Sequence, residues 1–392
     1  MVRKVISLNG IWELSMDRRF RYLNTYTISV PSCIGNEIPA LRDYRGILWY
    51  RKRFSIDRIS PQEAFLLHFG AVNYHSQIWL NHTLIGTHEG GYTPFIFDVT
   101  KLIKAQNELV VRVLIPGNID PEYSFGEIPH GKQETHWYGI ASGIWQNVAL
   151  IRTGKPYITK LYITPDVEQK RALVTTKSKL IGVDKQCQLA LSIIDPYGKL
   201  IDKINIPLSP ENRAEFSISN VMPWDTDNPN LYMLNATIFC NDKPIDEVLD
   251  MFGMRRVEIK NGQIFLNGKS IYLVGALDQD FYPYSHYTPP NEEFVRDELI
   301  LAKEMGLNCL RYHVKVPHPW YLKWADRLGI LIWEDLPNWS ESTSEAKSRG
   351  KVTLKEMIEL DYNHPSVIIR TIINESWGLD LTKSEDRKCS QC

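Results

Sequence analysis

The 392-residue chain lacks any imbalance of charge: 45 Lys and Arg stand against 46 Asp and Glu, a net charge of −1. Without a positive excess there is no electrostatic footprint for nucleic acid or for an anionic membrane surface. The chain also has no run of about 18 apolar residues, the length that spans a bilayer. Its start, Met1 to Gly10, carries no long apolar segment of the signal-peptide kind. These absences predict a soluble, cytoplasmic protein with no membrane partner. Cysteine is sparse, with six residues at 33, 187, 240, 309, 389 and 392. Several lie in apolar runs, which predicts reduced, buried thiols rather than a disulfide framework. Cys389 and Cys392 have redox or metal spacing, but a single such pair in a polar tail does not make a site. Neither a metal nor a cofactor is expected.

Aromatic residues are plentiful, with 11 Trp and 19 Tyr. They suit large β cores, and equally contacts to carbohydrate. The length calls for two or three domains. Residues 1–155 read as short strands at close spacing, separated by Gly, Pro and Asn turns. That texture predicts a sandwich or jelly roll. Residues 156–257 repeat it, with turns at Asp195-Pro196-Tyr197-Gly198 and Asp227-Asn228-Pro229-Asn230. About 100 residues with a strand roughly every ten suggest an immunoglobulin-like sandwich. No convergent set of His, Asp, Glu or Cys occurs there, so this part reads as a spacer.

From residue 258 the texture alternates. Asn267-Gly268 marks a tight hairpin. Tyr272–Ala276 reads as a buried strand. A helix capped by Asn291 follows, with Phe294, Leu301 and Met305 on one face and Gly306 at its end. Further strands follow at 308–312, 330–333 and 367–373, with helices at 319–328 and 352–362. Strand–helix alternation means a parallel sheet with right-handed crossovers. Its closed form is an eight-stranded barrel, whose chemistry sits at the C-terminal rim. Polar residues fall at four successive strand ends: Asp278, Gln279 and Asp280; Arg311 and His313; Glu334 and Asp335; Asn374 and Glu375. Arg311 with Glu334 or Asp335 also reads as a buried structural pair. Asp278 and Asp280 also read as loop or capping residues, and Glu375 as a helix cap. Trp333, Trp339 and Trp377 are candidate platforms for a sugar face, with packing the plainer role for Trp333.

An ordered set of motifs sharpens this reading. Leu8-Asn9-Gly10-Ile11-Trp12, Trp49-Tyr50-Arg51, Gly91-Tyr92-Thr93-Pro94-Phe95 and Gly143-Ile144-Trp145-Gln146 come first. Phe252-Gly253-Met254-Arg255, Trp324-x-Asp326-x-x-Gly329, Asn363-His364-Pro365-Ser366 and Asn374-Glu375-Ser376 follow. In this order they resemble glycoside hydrolase family 2, which contains β-galactosidases, β-glucuronidases and β-mannosidases. The resemblance implies a jelly-roll sugar-binding domain (1–155), an immunoglobulin-like sandwich (156–257) and the first half of a (β/α)8 TIM barrel (258–392). It makes Glu375 the general acid/base and places Asn374 on the sugar 2-hydroxyl. Arg311, His313, Asp278, Gln279, Asp335 and Trp377 become candidate substrate contacts. A loop of the first domain, 131–137, offers Glu134 as a further one. Two departures leave the sugar open: Gln279 stands where the family often has His, and the run Arg311 to Pro317 differs from the usual one.

Retaining glycosidases use two carboxyl groups about 5–5.5 Å apart. The family places the second, the nucleophile, at the end of barrel strand seven. Only 135 residues follow residue 257, whereas such a barrel takes about 200–250. The expectation is therefore a chain that ends halfway through its barrel and is inactive alone. A β-glycoside is the expected partner, and a homo-oligomer or a complementing C-terminal half is left open.

Overall fold

The computed structural model describes residues 2–16, 25–117, 126–133, 138–182 and 187–389. Alternation of buried and exposed residues builds the first sandwich. In His75–Leu80, for example, Ser76, Ile78 and Leu80 are buried and their neighbours are half-exposed. A four-stranded sheet runs Lys4–Ser7, Val148–Gly154, Glu63–Phe69, Phe95–Asp98. It packs on a six-stranded sheet ordered Thr25–Val30, Gly10–Ser15, Gly46–Ser55, Gln106–Ile115, His75–Leu80, Thr83–Glu89. Trp12, Tyr50, Phe65, Phe69 and Val111 fill the space between. Asn81 and His82 make a tight turn, both with positive φ, which suits the twist of a two-residue hairpin.

The second sandwich has three strands (Tyr157–Asp166, Arg171–Lys179, Glu211–Ser217) against four (Leu200–Pro207, Cys187–Ile194, Tyr232–Cys240, Lys243–Phe252). Here the thiol expectation needs correction. Cys187 and Cys240 are joined in a disulfide. They are directly opposed partners on adjacent antiparallel strands, with Cα atoms 4.2 Å apart. A separation of 53 residues hides that pairing from sequence spacing. Cys33 and Cys309 are buried free thiols, as expected.

The last part is a parallel α/β unit. Its strands are β1 (Gly275–Asp278), β2 (Cys309–Tyr312), β3 (Leu331–Asp335) and β4 (Val367–Thr371), hydrogen-bonded in that order and all parallel. The helices are α1 (Glu292–Glu304), α2 (Pro319–Leu328), α3 (Ser344–Asp361) and a short α4 (Ser384–Cys389). Asn291 caps α1 by accepting from Phe294 N at 2.7 Å. The buried face of α1 is not the expected one. Val295, Leu299 and Ala302 go inside, whereas Phe294, Leu301 and Met305 are exposed. Three small or branched residues at i, i+4 and i+7 make the closer-packing stripe. The first strand also differs: it starts at Gly275, and Tyr272, Val274 and Leu277 are exposed. β1 and β4 are the sheet's edges and have no further partner among the described residues.

Several of the sequence motifs turn out to be braces between these units. Arg255 donates to the carbonyls of Pro365 (2.6 Å) and Val367 (2.8 Å), fixing the start of β4 to the second sandwich. Trp224 donates to Asp326 O at 2.7 Å. Asn363 reaches Leu161 O and Asp250 of the same sandwich. A Cβ on Gly253 would lie 2.7 Å from both Pro365 and Trp224, so only glycine permits this approach. Burial raises the Asp250 carboxyl above its ordinary value, with the Asn363 hydrogen bond opposing.

Candidate active site

The C-terminal ends of β1 to β4 meet at one rim. Three of these ends leave their strand through left-handed residues that are not glycine: Asp280, Val314, and the consecutive pair Glu375 and Ser376. Such residues cost about 1–3 kcal/mol each and persist where their surroundings over-determine them. The surroundings are visible. Asn374 N donates to Asn338 Oδ1 at 2.7 Å, and Asn338 Nδ2 donates to Ile372 O at 2.9 Å. Trp377 N donates to Asn374 O at 2.8 Å. The turn thus presents the Glu375 side chain to solvent while Asn374 stays buried.

Arg311 settles the ion-pair question. Its Nε donates to both Asp335 oxygens (3.0 and 3.1 Å), and its second amino group reaches Asp335 at 2.8 Å and Asn374 Oδ1 at 2.9 Å. One guanidinium therefore orients residues from β3 and from the end of β4. Glu334 points to the other face of the strand, toward Arg370 and Asp361. Burial and the neighbouring Asp361 raise its carboxyl well above the usual range. It is a structural group.

His313 lies 4% exposed at the end of β2, tied by its backbone N to Asp278 O at 2.9 Å. Burial and the positive charge of Lys132 lower its ring below the ordinary histidine value. Neither of its ring nitrogens has a hydrogen-bond partner among the described residues. The same holds for Asn374 Nδ2 and Gln279 Oε1. Buried polar groups are nearly always paired. The Asn374 side chain is near enough to raise the His313 ring against burial and the Lys132 charge, so the two face each other, and with Gln279 they bring polar groups from three strand ends to the rim. Among the described residues no cluster of three or more His, Cys, Asp or Glu could hold a metal ion.

Asp278 is a perturbed carboxyl on the rim itself. Burial, then the charges of Asp280 and Glu298, raise it to about 7. In the folded protein it binds a proton more tightly than the unfolded chain does between about pH 4 and 7. Stability therefore falls as pH rises through that window. Asp278→Asn should flatten this dependence and raise the melting temperature at pH 7.5 relative to pH 5. An unchanged pH profile of melting temperature would contradict it.

The aromatic candidates divide. Trp339 is 4% exposed and packs on Gly350 and Gly378, with its Nε1 bonded to Gly378 O at 3.1 Å. A ring enclosed on both sides cannot stack on a sugar, so its platform role is withdrawn. Trp333 is half-buried, donates to Thr371 Oγ1 at 2.6 Å and carries the Arg311 guanidinium 5.0 Å from its ring. Trp377 is half-exposed next to Glu375. Glu134 lies outside the described residues, as do Cys392 and the side chain of Cys389.

Two rim residues escaped the sequence reading. Asn338 is fully buried and positions Asn374. Lys132 comes from the first sandwich and is 7% exposed. Burial lowers its ammonium below the ordinary lysine value, and the carboxylate of Glu375 works the other way. A signal for Lys132 existed in Gly131 beside it. Gly131 has φ +61, and a Cβ there would sit 2.2 Å from Val314 O. Only glycine lets this loop touch the rim.

Comparisons with known proteins agree with this layout. The family model of the glycosyl hydrolases family 2 sugar binding domain matches residues 3–154. The model named glycosyl hydrolases family 2 matches 156–255, and the family's TIM barrel domain matches 257–388. A putative β-glucuronidase of Formosa agariphila is 31% identical over 349 residues, covering 86% of this chain and 41% of the relative. A β-galactosidase of Thermoanaerobacter pseudethanolicus is 27% identical, covering 88% of this chain and 46% of the relative. The chain thus spans about half the length of these relatives. Among solved structures, a β-glucuronidase from Ruminococcus gnavus superposes with a TM-score of 0.82 at 21% identity, covering 99% of this chain and 69% of that one. That likeness shows the fold.

Proposed function

The chain belongs to glycoside hydrolase family 2, and on that premise we propose that it carries the acid/base half of a retaining β-glycosidase site. Glu375 protonates the leaving oxygen and later activates water. Asn374, held by Arg311 and Asn338, donates its unpaired Nδ2 to the sugar 2-hydroxyl. Gln279 and His313 offer further unpaired atoms to the ring hydroxyls, Trp377 an aromatic face, and Arg311 and Asp335 the frame. The observation that carries this reading is the set of buried, unpartnered polar atoms beside Glu375 at the meeting of strand ends. The relatives' names, β-glucuronidase and β-galactosidase, support terminal β-glycosides as the substrate class.

The nucleophile is not found among the described rim carboxylates. Asp335 is committed to Arg311 and Asp280 to Lys315, Glu334 faces the other way, and Asp278 accepts from Asp280 N and is raised to about 7, so it holds a proton where a nucleophile must be ionised. We assign it to a further strand of the barrel, reached past the unpaired edges of β1 and β4. A longer chain or a complementing C-terminal half supplies it. Expressed alone, the 392 residues should hydrolyse 4-nitrophenyl β-glycosides negligibly. Co-expression with the C-terminal half of a family 2 barrel should restore turnover. Robust turnover by the pure chain, or no rescue by a folded complementing half, would contradict the assignment.

A further inference from the structure

The first sandwich grips the loop that follows β3 with residues 127–133. Glu127 Oε2 accepts from Ser340 N at 3.0 Å and from Glu341 N at 3.2 Å. His130 Nδ1 donates to Gly131 O at 2.7 Å, which leaves Nε2 to accept from Ser340 Oγ at 3.1 Å. Gly131 N donates to Asn338 O at 2.9 Å. Asn338 is also the residue whose Oδ1 accepts from Asn374 N, one position before Glu375. The grip of the sandwich and the hold on the Glu375 turn therefore meet on one residue.

The 130–133 turn is itself fixed by a single oxygen. The Tyr92 hydroxyl donates to His130 O at 2.6 Å and accepts from Gln133 Nε2 at 2.8 Å and from Tyr287 OH at 2.9 Å. A hydroxyl offers one proton and two lone pairs, so this one is saturated. Burial pushes its pKa up to about 12, which keeps the proton in place. The Gln133 amide is committed as well, its Oε1 accepting from Asn73 Nδ2 at 2.8 Å and from Ala141 N at 3.1 Å. Tyr287 belongs to the loop that follows β1, and its neighbour Thr288 donates to Trp145 O at 2.9 Å. One atom of the first sandwich thus joins the loop after β1, the 130–133 turn and, through Gly131, the loop after β3. Tyr92, Gln133 and Tyr287 are all more than nine-tenths buried. Without that oxygen a carbonyl, an amide and a hydroxyl each lose a partner, and buried groups left unpaired drive local rearrangement.

We propose that Tyr92 is a positioning residue for Glu375, acting through Gly131, Asn338 and Asn374. The inference rests on the glycosidase reading and names what holds its acid/base. Tyr92 touches neither the substrate nor the reacting atoms. Its hydroxyl fixes the turn, the turn fixes Asn338, and Asn338 fixes the left-handed exit from β4 that carries Glu375. A catalytic group misplaced by about 1 Å can lose about 10²-fold in rate. Relaxing this chain of contacts is therefore felt at proton transfer.

Tyr92→Phe keeps the ring and removes only the oxygen. In the full 392-residue chain, amide hydrogen exchange read by mass spectrometry should quicken about ten-fold at 338–341 and 374–377 as well as at 130–133. Residues 187–194 of the second sandwich should keep their wild-type rate. Glu127→Ala cuts the same grip at a half-buried side chain, so it reports on 338–341 and 374–377 even where Tyr92→Phe fails to fold. Quickening in either variant that stops short of 374–377, or that is equal everywhere, overturns the proposal. In the completed enzyme (this chain with a half-barrel that supplies the nucleophile), Tyr92→Phe should lower kcat/KM about ten-fold for an alkyl β-glycoside. With a nitrophenyl β-glycoside, whose leaving group needs no proton, the loss should stay below about two-fold. A loss equal for both substrates is what a merely structural role gives and overturns the positioning. The glycosidase reading still stands if Glu375→Ala discriminates between the two, and falls with it if Glu375→Ala does not.

Discussion

In a barrel that also supplies the proposed nucleophile, Glu375→Ala is expected to cut hydrolysis of an alkyl β-glycoside by about 10³-fold, within the range of about 10²–10⁴ for a positioned general acid. The size of the loss should depend on the leaving group. A nitrophenolate leaves without a proton, so the bond-breaking step with that substrate should suffer far less. The second step, attack of water, still lacks its base and should become rate-limiting. Azide needs no base, so it should restore turnover and give the β-glycosyl azide. The structure gives the reason that this residue and not another is expected to respond so strongly. Glu375 is exposed at the rim in a left-handed conformation that the Asn338–Asn374 contacts hold in place. A loss equal for all leaving groups, with no azide rescue, would assign Glu375 a capping or structural role.

Asp280→Ala is expected to produce the largest loss of stability. Lys315 is 2% exposed, and its ammonium meets the Asp280 carboxylate at 2.6 Å, both side chains being essentially dry. It also donates to Asp280 O at 2.6 Å and lies 3.9 Å from the centre of the Tyr287 ring. Removing one partner of a buried pair leaves the other uncompensated, at a cost of about 3–5 kcal/mol. The Asp280 side chain also accepts from the Tyr282 hydroxyl, which in turn meets that of Tyr321, so several buried groups lose their anchor together. The urea midpoint of the barrel part, followed by Trp fluorescence, should fall sharply. Asp280→Ala with Lys315→Met should recover much of it, because no buried charge then remains. A fall below about 1 kcal/mol, or no recovery in the double variant, would show that Lys315 finds water or another anion.

How much of this was legible beforehand follows from the range of each signal. Strand–helix alternation is a local pattern, so the parallel unit and the placing of Asp278, Arg311, Asp335 and Asn374 at successive strand ends could be read from sequence. Which of Glu334 and Asp335 meets Arg311 could not. The two residues face opposite sides of β3, and the register with β2 decides between them. The α1 face was misjudged because bulky Phe294, Leu301 and Met305 outweighed the smaller Val295, Leu299 and Ala302 that fit against the sheet. The Cys187–Cys240 bond depends on strand pairing across 53 residues. Lys132 lies more than 200 residues from Glu375 in sequence; the family resemblance pointed to its loop, 131–137, but to Glu134 within it. Family motifs such as Phe252-Gly253-Met254-Arg255 and Asn363-His364-Pro365-Ser366 were visible as motifs, yet their bracing role appears only when Gly253 is seen against Pro365.

The central claim is that Glu375 acts as acid/base in a double displacement, with a second carboxylate close by. Proton NMR of the first-formed product settles it most directly. The completed enzyme is mixed with an aryl β-glycoside, and the anomeric signal is followed before mutarotation. The account predicts that the β-anomer appears first. First appearance of the α-anomer would mean single displacement by water and would contradict the mechanism.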